Sequence, residues 1–201
     1  MIGESIGSYL DRLGSREPTP GGGSAACLCG AVASSLGRMV VDVAALREPG
    51  TATEDLRRAF DAHREEFLRL AGEDETAFRS VMAALRLPKT DPRRSEAVQD
   101  ALEAAARPPL RAAEAAAALL DDLSTATAFA SRHIASDVVV AAHIALACLR
   151  ASVANVEVNL KSLRPPERRA APAARCAELL QEGAHVHAEV LRRAESPPTA
   201  S

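Results

Sequence analysis

Residues 25–46 read AACLCGAVASSLGRMVVDVAAL, small or apolar almost all round, with Arg38 and Asp42 as the only charges. A helix of this kind has no polar face to offer water, so it must be buried on most sides, and its small side chains let neighbouring backbones come close. The rest of the chain therefore has to supply the elements that surround it. About a fifth of the 201 residues are Ala, the best helix former, whereas aromatics are 2%: Tyr9, Phe60, Phe67, Phe78 and Phe129, with no Trp. That balance excludes an all-β sandwich. It also excludes nucleic-acid binding by base stacking on aromatic platforms.

Pro and Gly divide the remainder into helical lengths. Glu4 to Leu13 carries Ile6, Tyr9, Leu10 and Leu13 at helical spacing. Pro18-Thr19-Pro20-Gly21-Gly22-Gly23-Ser24 reads as a tight non-helical loop, and Ala25 to Leu46 as the buried helix, ended by Glu48-Pro49-Gly50. Thr53 is placed as the N-cap of a long helix running toward Leu85, with Leu56, Phe60, Phe67, Leu70, Phe78 and Met82 as its stripe and Gly72 as a soft point. Asp91-Pro92 is placed as cap and first residue of the next helix, Arg93 to Leu123, bent at Pro108-Pro109. Ser136 and Asp137 open Val138 to Leu163, and Pro165-Pro166 precedes a last helix, Glu167 to Ala194. The expectation is a single all-α domain over 1–195, a bundle of about six helices around a buried small-residue helix, with 196–201 a disordered tail. The Ala-rich faces around 104–118 and 138–154 are poor in large side chains and point to a core completed in a homodimer.

The formal charge is −3, with no basic tract, so no nucleic-acid partner is expected. Cys27, Cys29, Cys148 and Cys176 lie in apolar surroundings without zinc spacing and read as reduced structural thiols. No metal is expected. No secretory signal is visible at the start, and the apolar stretch Ala25 to Leu36 is too short to span a bilayer, so the expected setting is cytoplasmic, with no membrane partner.

The feature that goes beyond a helical bundle is Pro20-Gly21-Gly22-Gly23-Ser24. Three glycines without Cβ atoms let the backbone lie against a ligand, and the following helix N-terminus offers free N–H groups to an anion or carbonyl oxygen. A sharp turn into a buried helix would use the same residues, and both readings stand. The P-loop pattern is absent.

The stretch from Glu4-Ser-Ile-Gly-Ser-Tyr-Leu-Asp-Arg-Leu through Pro18-Thr-Pro-Gly-Gly-Gly-Ser-Ala-Ala to Arg38-Met39-Val40 resembles the cyclodeaminase/cyclohydrolase family. The resemblance continues at Asp74-Glu-Thr-Ala-Phe78, at Leu85-Arg-Leu-Pro-Lys89, at Ser136-Asp137 and at Asn155-Val-Glu-Val-Asn159. It implies an all-helical homodimer without metal or bound prosthetic group, whose substrate is a tetrahydrofolate derivative carrying a one-carbon unit. The implied reaction is hydrolysis of methenyltetrahydrofolate or cyclodeamination of formiminotetrahydrofolate. Leu46-Arg47-Glu48-Pro49-Gly50 stands where the family has a Gly-Lys-Lys-Tyr-like stretch, and Ala130-Ser131 where it has Gly-Asn. The first departure favours hydrolysis. The alternative is a folate-binding or scaffold homodimer of the same fold without the chemistry.

By this resemblance Asp74 and Asp137 are the charge-stabilising or acid/base carboxylates, and Lys89 or His133 the proton donor. Gly21, Gly22 and Gly23, with Pro20, Ser24, Ser136, Asn155 and Asn159, hold the folate. Each residue has a plainer reading: Asp74 a solvated helix carboxylate, Asp137 a helix cap, Lys89 a surface lysine. Asn155 and Asn159, four apart on one face, could instead bond between helices. His133 and His143 lack a third ligand at metal spacing, and His185 and His187 lie outside the resemblance.

Overall fold

A computed structural model describes residues 4–47 and 50–195. Its elements are α1 (Ile6–Leu13), α2 (Gly22–Ala45), α3 (Thr51–Leu85), α4 (Arg94–Ala126), α5 (Ala135–Lys161) and α6 (Pro166–Ala194). All six are helices, and no strand occurs among the described residues. The expected end of the buried helix at Glu48-Pro49 and the expected tail at 196–201 lie outside the described residues.

Helices α2, α3, α4 and α5 form a ring in which each packs on the next, and α6 covers the groove between α4 and α5. Neighbours in the ring run antiparallel. Phe67 and Phe60 of α3 meet Gly30 and Gly37 of α2. His63 of α3 bonds Asp122 of α4, and Asn159 of α5 bonds the Ala105 carbonyl of α4. One end of the bundle thus gathers the start of α2, the end of α3, the start of α4 and the end of α5.

The α2–α3 contact follows a seven-residue rule. Gly23, Gly30 and Gly37 face Asp74, Phe67 and Phe60 in turn, and a Cβ on Gly30 or Gly37 would come within 2.6 Å of the ring opposite. Seven residues are nearly two helical turns, so all three glycines share one face and each admits one side chain. Phe60 and Phe67 are fully buried there, with Leu70, Leu119, Leu120, Leu123 and Leu149 completing the core.

Several expected boundaries move, for local reasons. The triglycine segment is partly helical: Gly21 is the extended cap, and Gly22, Gly23 and Ser24 already belong to α2. Gly50, not Thr53, caps α3; the Thr53 hydroxyl donates back to the Gly50 carbonyl at 2.8 Å and accepts from its N–H at 3.3 Å. Asp91 is not a helix cap, because its carboxylate is taken by the N–H and guanidinium of Arg93, and α4 starts only at Arg94. α4 continues through Pro108 and Pro109. α5 begins at Ala135, so Asp137 lies inside its first turn rather than capping it.

The Ala-rich face around 104–118 is not an outer surface: Ala105, Ala106, Ala112, Ala113 and Ala116 are buried within this chain's own core. The 138–154 segment keeps an outward face. Cys29 is exposed, unlike Cys27, Cys148 and Cys176. Burial pushes the Cys148 thiol up to about 12 and raises that of Cys27 as well, so neither is a ready nucleophile. By length and composition α2 and α5 are apolar enough to cross a membrane, and only 56% and 50% of their most apolar windows is covered by the rest of the chain.

The glycine ladder makes a direct prediction. Gly30→Ala adds helix propensity yet inserts a methyl into the Phe67 ring, and should cost about 1–3 kcal/mol, seen as a lower Tm by circular dichroism. Gly72→Ala, with open space around it, should instead stabilise by about 0.5–1 kcal/mol. Equal effects at the two sites would refute the ladder.

Candidate active site

The first turn of any helix leaves N–H groups without intrahelical partners, and they carry the positive end of the dipole. At the head of α2 the cap is Gly21, which has no side chain to satisfy them. The Asp74 carboxyl group of α3 lies against this head instead, where the Ser24 N–H draws its pKa down. A Cβ on Gly23 would collide with that carboxyl group, so the glycine is what admits Asp74 to the helix head.

Burial raises the Asp74 pKa above the ordinary carboxylate range; the Ser24 N–H pulls the other way, and nearby Glu75 adds to the rise. Glu75 itself is buried, in ion pairs with Arg79 at 3.1 Å and with Arg12 of α1 at 3.7 Å. Tyr9, also of α1 and 2% exposed, bonds its hydroxyl to Ser24 Oγ at 3.1 Å. Side chains therefore tie α1 to the same helix head.

The other side of the site comes from α5. Asn155 sits beside Gly22, its Oδ1 3.6 Å and its Nδ2 3.7 Å from where a Cβ would be. Its Nδ2 donates to the Ala151 carbonyl, and Asn159 Nδ2 donates to the carbonyls of Ala105 and Asn155. Both amide oxygens are without a protein hydrogen bond among the described residues. Space is left at Gly21, where a Cβ would meet no atom within 4 Å, while Pro20 is buried beneath it after a cis bond from Thr19. The arrangement is a half-sunk carboxylate, two acceptor oxygens and an uncovered stretch of backbone at one end of the bundle.

The structure thus brings together Pro20, Gly21, Gly22, Gly23, Ser24, Asp74, Asn155 and Asn159. It does not bring the others to them within one chain. Lys89 is exposed in the turn after α3, whose end at Leu85 is eleven residues, about 16 Å, past Asp74. His133 and Ser136 are exposed, and Asp137 half-buried, at the opposite end of the bundle. Asp137 and Asn155 are eighteen residues apart on α5, about 27 Å. Tyr9 and Glu75 were not singled out from the sequence. Tyr9 is the chain's only tyrosine on an apolar stripe, and a buried phenol must find a partner, which was the available signal. Among the described residues no three His, Cys, Asp or Glu side chains gather as a metal site. His143 and His187 do pair, ring nitrogens 2.9 Å apart.

Comparison with known proteins identifies the family and the fold. Residues 5–178 match the family described as formiminotransferase-cyclodeaminase. Methenyltetrahydrofolate cyclohydrolase of Methylorubrum extorquens is 33% identical over 168 residues, 80% of this chain and 81% of that protein. Formimidoyltransferase-cyclodeaminase of Sus scrofa is 29% identical over 204 aligned positions, 98% of this chain but 38% of that longer protein. Among solved structures, formiminotetrahydrofolate cyclodeaminase of Thermotoga maritima superposes with a TM-score of 0.87 at 26% identity, covering 96% of this chain and 97% of that one.

The buried carboxyl predicts a pH signature. The folded pKa of Asp74 lies above its unfolded value, so its contribution to stability is fully present below the unfolded pKa and is lost as pH rises through the folded one. Asp74→Asn keeps an acceptor for the Ser24 N–H and cannot ionise. The Tm of the variant minus that of the wild type should therefore increase from pH 4 to pH 7. A difference that stays flat or shrinks would contradict the burial of this carboxyl group.

Proposed function

Because the chain belongs to the formiminotransferase-cyclodeaminase family, we propose that it is a tetrahydrofolate one-carbon enzyme whose reaction takes place at the head of α2, with hydrolysis of 5,10-methenyltetrahydrofolate as its main activity. The observation that carries this reading is Asp74, a carboxylate held half-sunk at a helix head beside uncovered backbone and two free amide oxygens.

The chemistry asks for little more. The methenyl carbon is part of a cyclic amidinium, a cation. Water attacks that carbon and loses a proton, giving a neutral tetrahedral carbinol intermediate; its hydroxyl then loses its proton as the C=O bond forms, one ring C–N bond breaks, that nitrogen takes up a proton, and a formyl amide is left. An ionised Asp74 offsets the cationic charge as substrate binds and, with its raised pKa, is suited to accept the proton of the attacking water. The site around Asp74 excludes part of the solvent, which strengthens that interaction. Asn155 and Asn159 offer carbonyl oxygens to ring N–H donors, and the bare edge at Gly21 and Gly22 lets a flat ring lie close to the backbone.

Hydrolysis is favoured over ring closure with loss of ammonia by two facts: residues 46–50 lack the Lys-Tyr-like stretch, and the 33% relative carries the cyclohydrolase name. The enzyme needs no metal or bound organic cofactor for this step, and it acts in the cytoplasm as a homodimer. Support for the dimer is the outer face of α2 and α5, where Cys29, Val32, Leu46, Val140 and Val158 are all exposed.

The near-ultraviolet absorbance of the methenyl compound follows the reaction directly. The wild type should consume it, and Asp74→Asn should lose about 10²- to 10⁴-fold in kcat/KM with its fold intact. Ammonia release from formiminotetrahydrofolate without consumption of the methenyl compound would reassign the enzyme as a deaminase. Turnover of neither would remove the proposal.

A further inference from the structure

Two imidazoles meet where α6 packs on α5, outside the candidate site. His143 of α5 and His187 of α6 face each other Nδ1 to Nε2 at 2.9 Å, with ring centres 4.8 Å apart and planes tilted by 55°. His143 is exposed and His187 half-buried, so water reaches the point where they meet. Asn155 lies twelve residues further along α5, about 18 Å away.

Close packing fixes the two helices at this point. One turn before His187, Gly183 is buried against Leu149, and a Cβ there would collide with the leucine side chain. Val190, three residues after His187, is fully buried. Gly183 and Val190 are seven residues apart on one face of α6, and they bracket His187 at its edge. An ion between the rings would therefore find both nitrogens already in place.

The pair also has the right chemistry. Neutral imidazole is the commonest protein ligand for divalent transition ions. Burial, with the His143 ring and Arg150 adding to it, lowers the His187 pKa and favours that neutral form. Two nitrogens bound to one ion at about 2.0–2.1 Å lie roughly 2.9–3.4 Å apart, for bond angles between about 90° and 109°. The 2.9 Å separation is at the near end of that range. Before binding, one N–H lies between the two nitrogens; on binding, that proton moves to the other nitrogen of its own ring, and both rings stay neutral. No third His, Cys, Asp or Glu joins the pair among the described residues. Water fills the remaining positions, and the affinity is that of a two-ligand site. The tie falls where the fold needs one: α6 buries only Cys176, Leu179, Gly183 and Val190, fewer than any other long helix.

We propose that His143 and His187 form a site for a divalent transition ion, of the Zn²⁺ or Ni²⁺ class, that ties α6 to α5. The site is independent of the functional reading above. To test it, the full untagged chain carrying Cys29→Ser, which removes the exposed thiol as a competing ligand, is titrated with ZnCl₂ and NiCl₂ by calorimetry. The same samples are melted with and without the ion, at about pH 7.5, where imidazole is neutral. One ion per chain is expected, and Tm should rise by about 5–10 °C at a hundredfold excess over Kd. His143→Gln and His187→Gln should each abolish both effects, whereas His185→Gln, whose ring is outside the pair, should keep them. Glutamine can still hydrogen-bond the remaining imidazole, and because the ion needs both rings, either variant that folds by circular dichroism decides the matter. Binding that survives the pair substitutions marks an adventitious ion only and overturns the site. Loss of binding in His185→Gln, or no binding up to about 1 mM ion, overturns it as well.

Discussion

The contact between α2 and α3 governs the molecule. Three glycines seven residues apart let three α3 side chains sink into α2, and two of those side chains are the largest buried ones in the ring. A helix of small residues buries little apolar area by itself, so it must gain its stability from side chains donated by neighbours. Phe60 and Phe67 donate them. The third rung is Asp74 rather than a phenylalanine, and it falls where the ladder reaches the end of α2.

That placement joins folding to chemistry. The positive end of the helix and the Ser24 N–H favour the ionised form of Asp74, but burial outweighs them. The same burial that shapes the contact raises its pKa. A site made this way sits on rigid helices, with Tyr9 holding Ser24 from one side and Asn159 bonded across to α4 from the other. What remains open is backbone at Gly21 and Gly22 and the amide oxygens of α5.

Much of the fold was legible because long helices announce themselves: the Pro and Gly breaks, the apolar stripe of α3 and the small-residue stretch of α2 gave six helices in order. Boundaries moved where a distant group intervened. Gly22 and Gly23 read as loop because glycine disfavours helix, and they are helical in a turn where Gly23 packs against Asp74 of another element. Asp91 read as a cap, but Arg93 beside it takes the carboxylate. At the site, the glycines, Asp74 and the two asparagines were found in the sequence and do converge. Tyr9 is not legible as a site neighbour, because a tyrosine on an apolar stripe looks like packing. Its role shows only when Ser24, fifteen residues away, is seen against it.

The sequence by itself determined that this chain is helical throughout, that one helix must be enclosed by the others, and, in the order of its motifs, which family it belongs to. These are properties of local propensity, periodicity and residue order. Only the tertiary structure decided that Gly23 serves Asp74, that the 104–118 face turns inward while α5 keeps an apolar seam outward, and that Asp137 stands at the far end from Asp74. Those facts depend on which faces meet when antiparallel helices close into a ring, and no pattern along one chain specifies that.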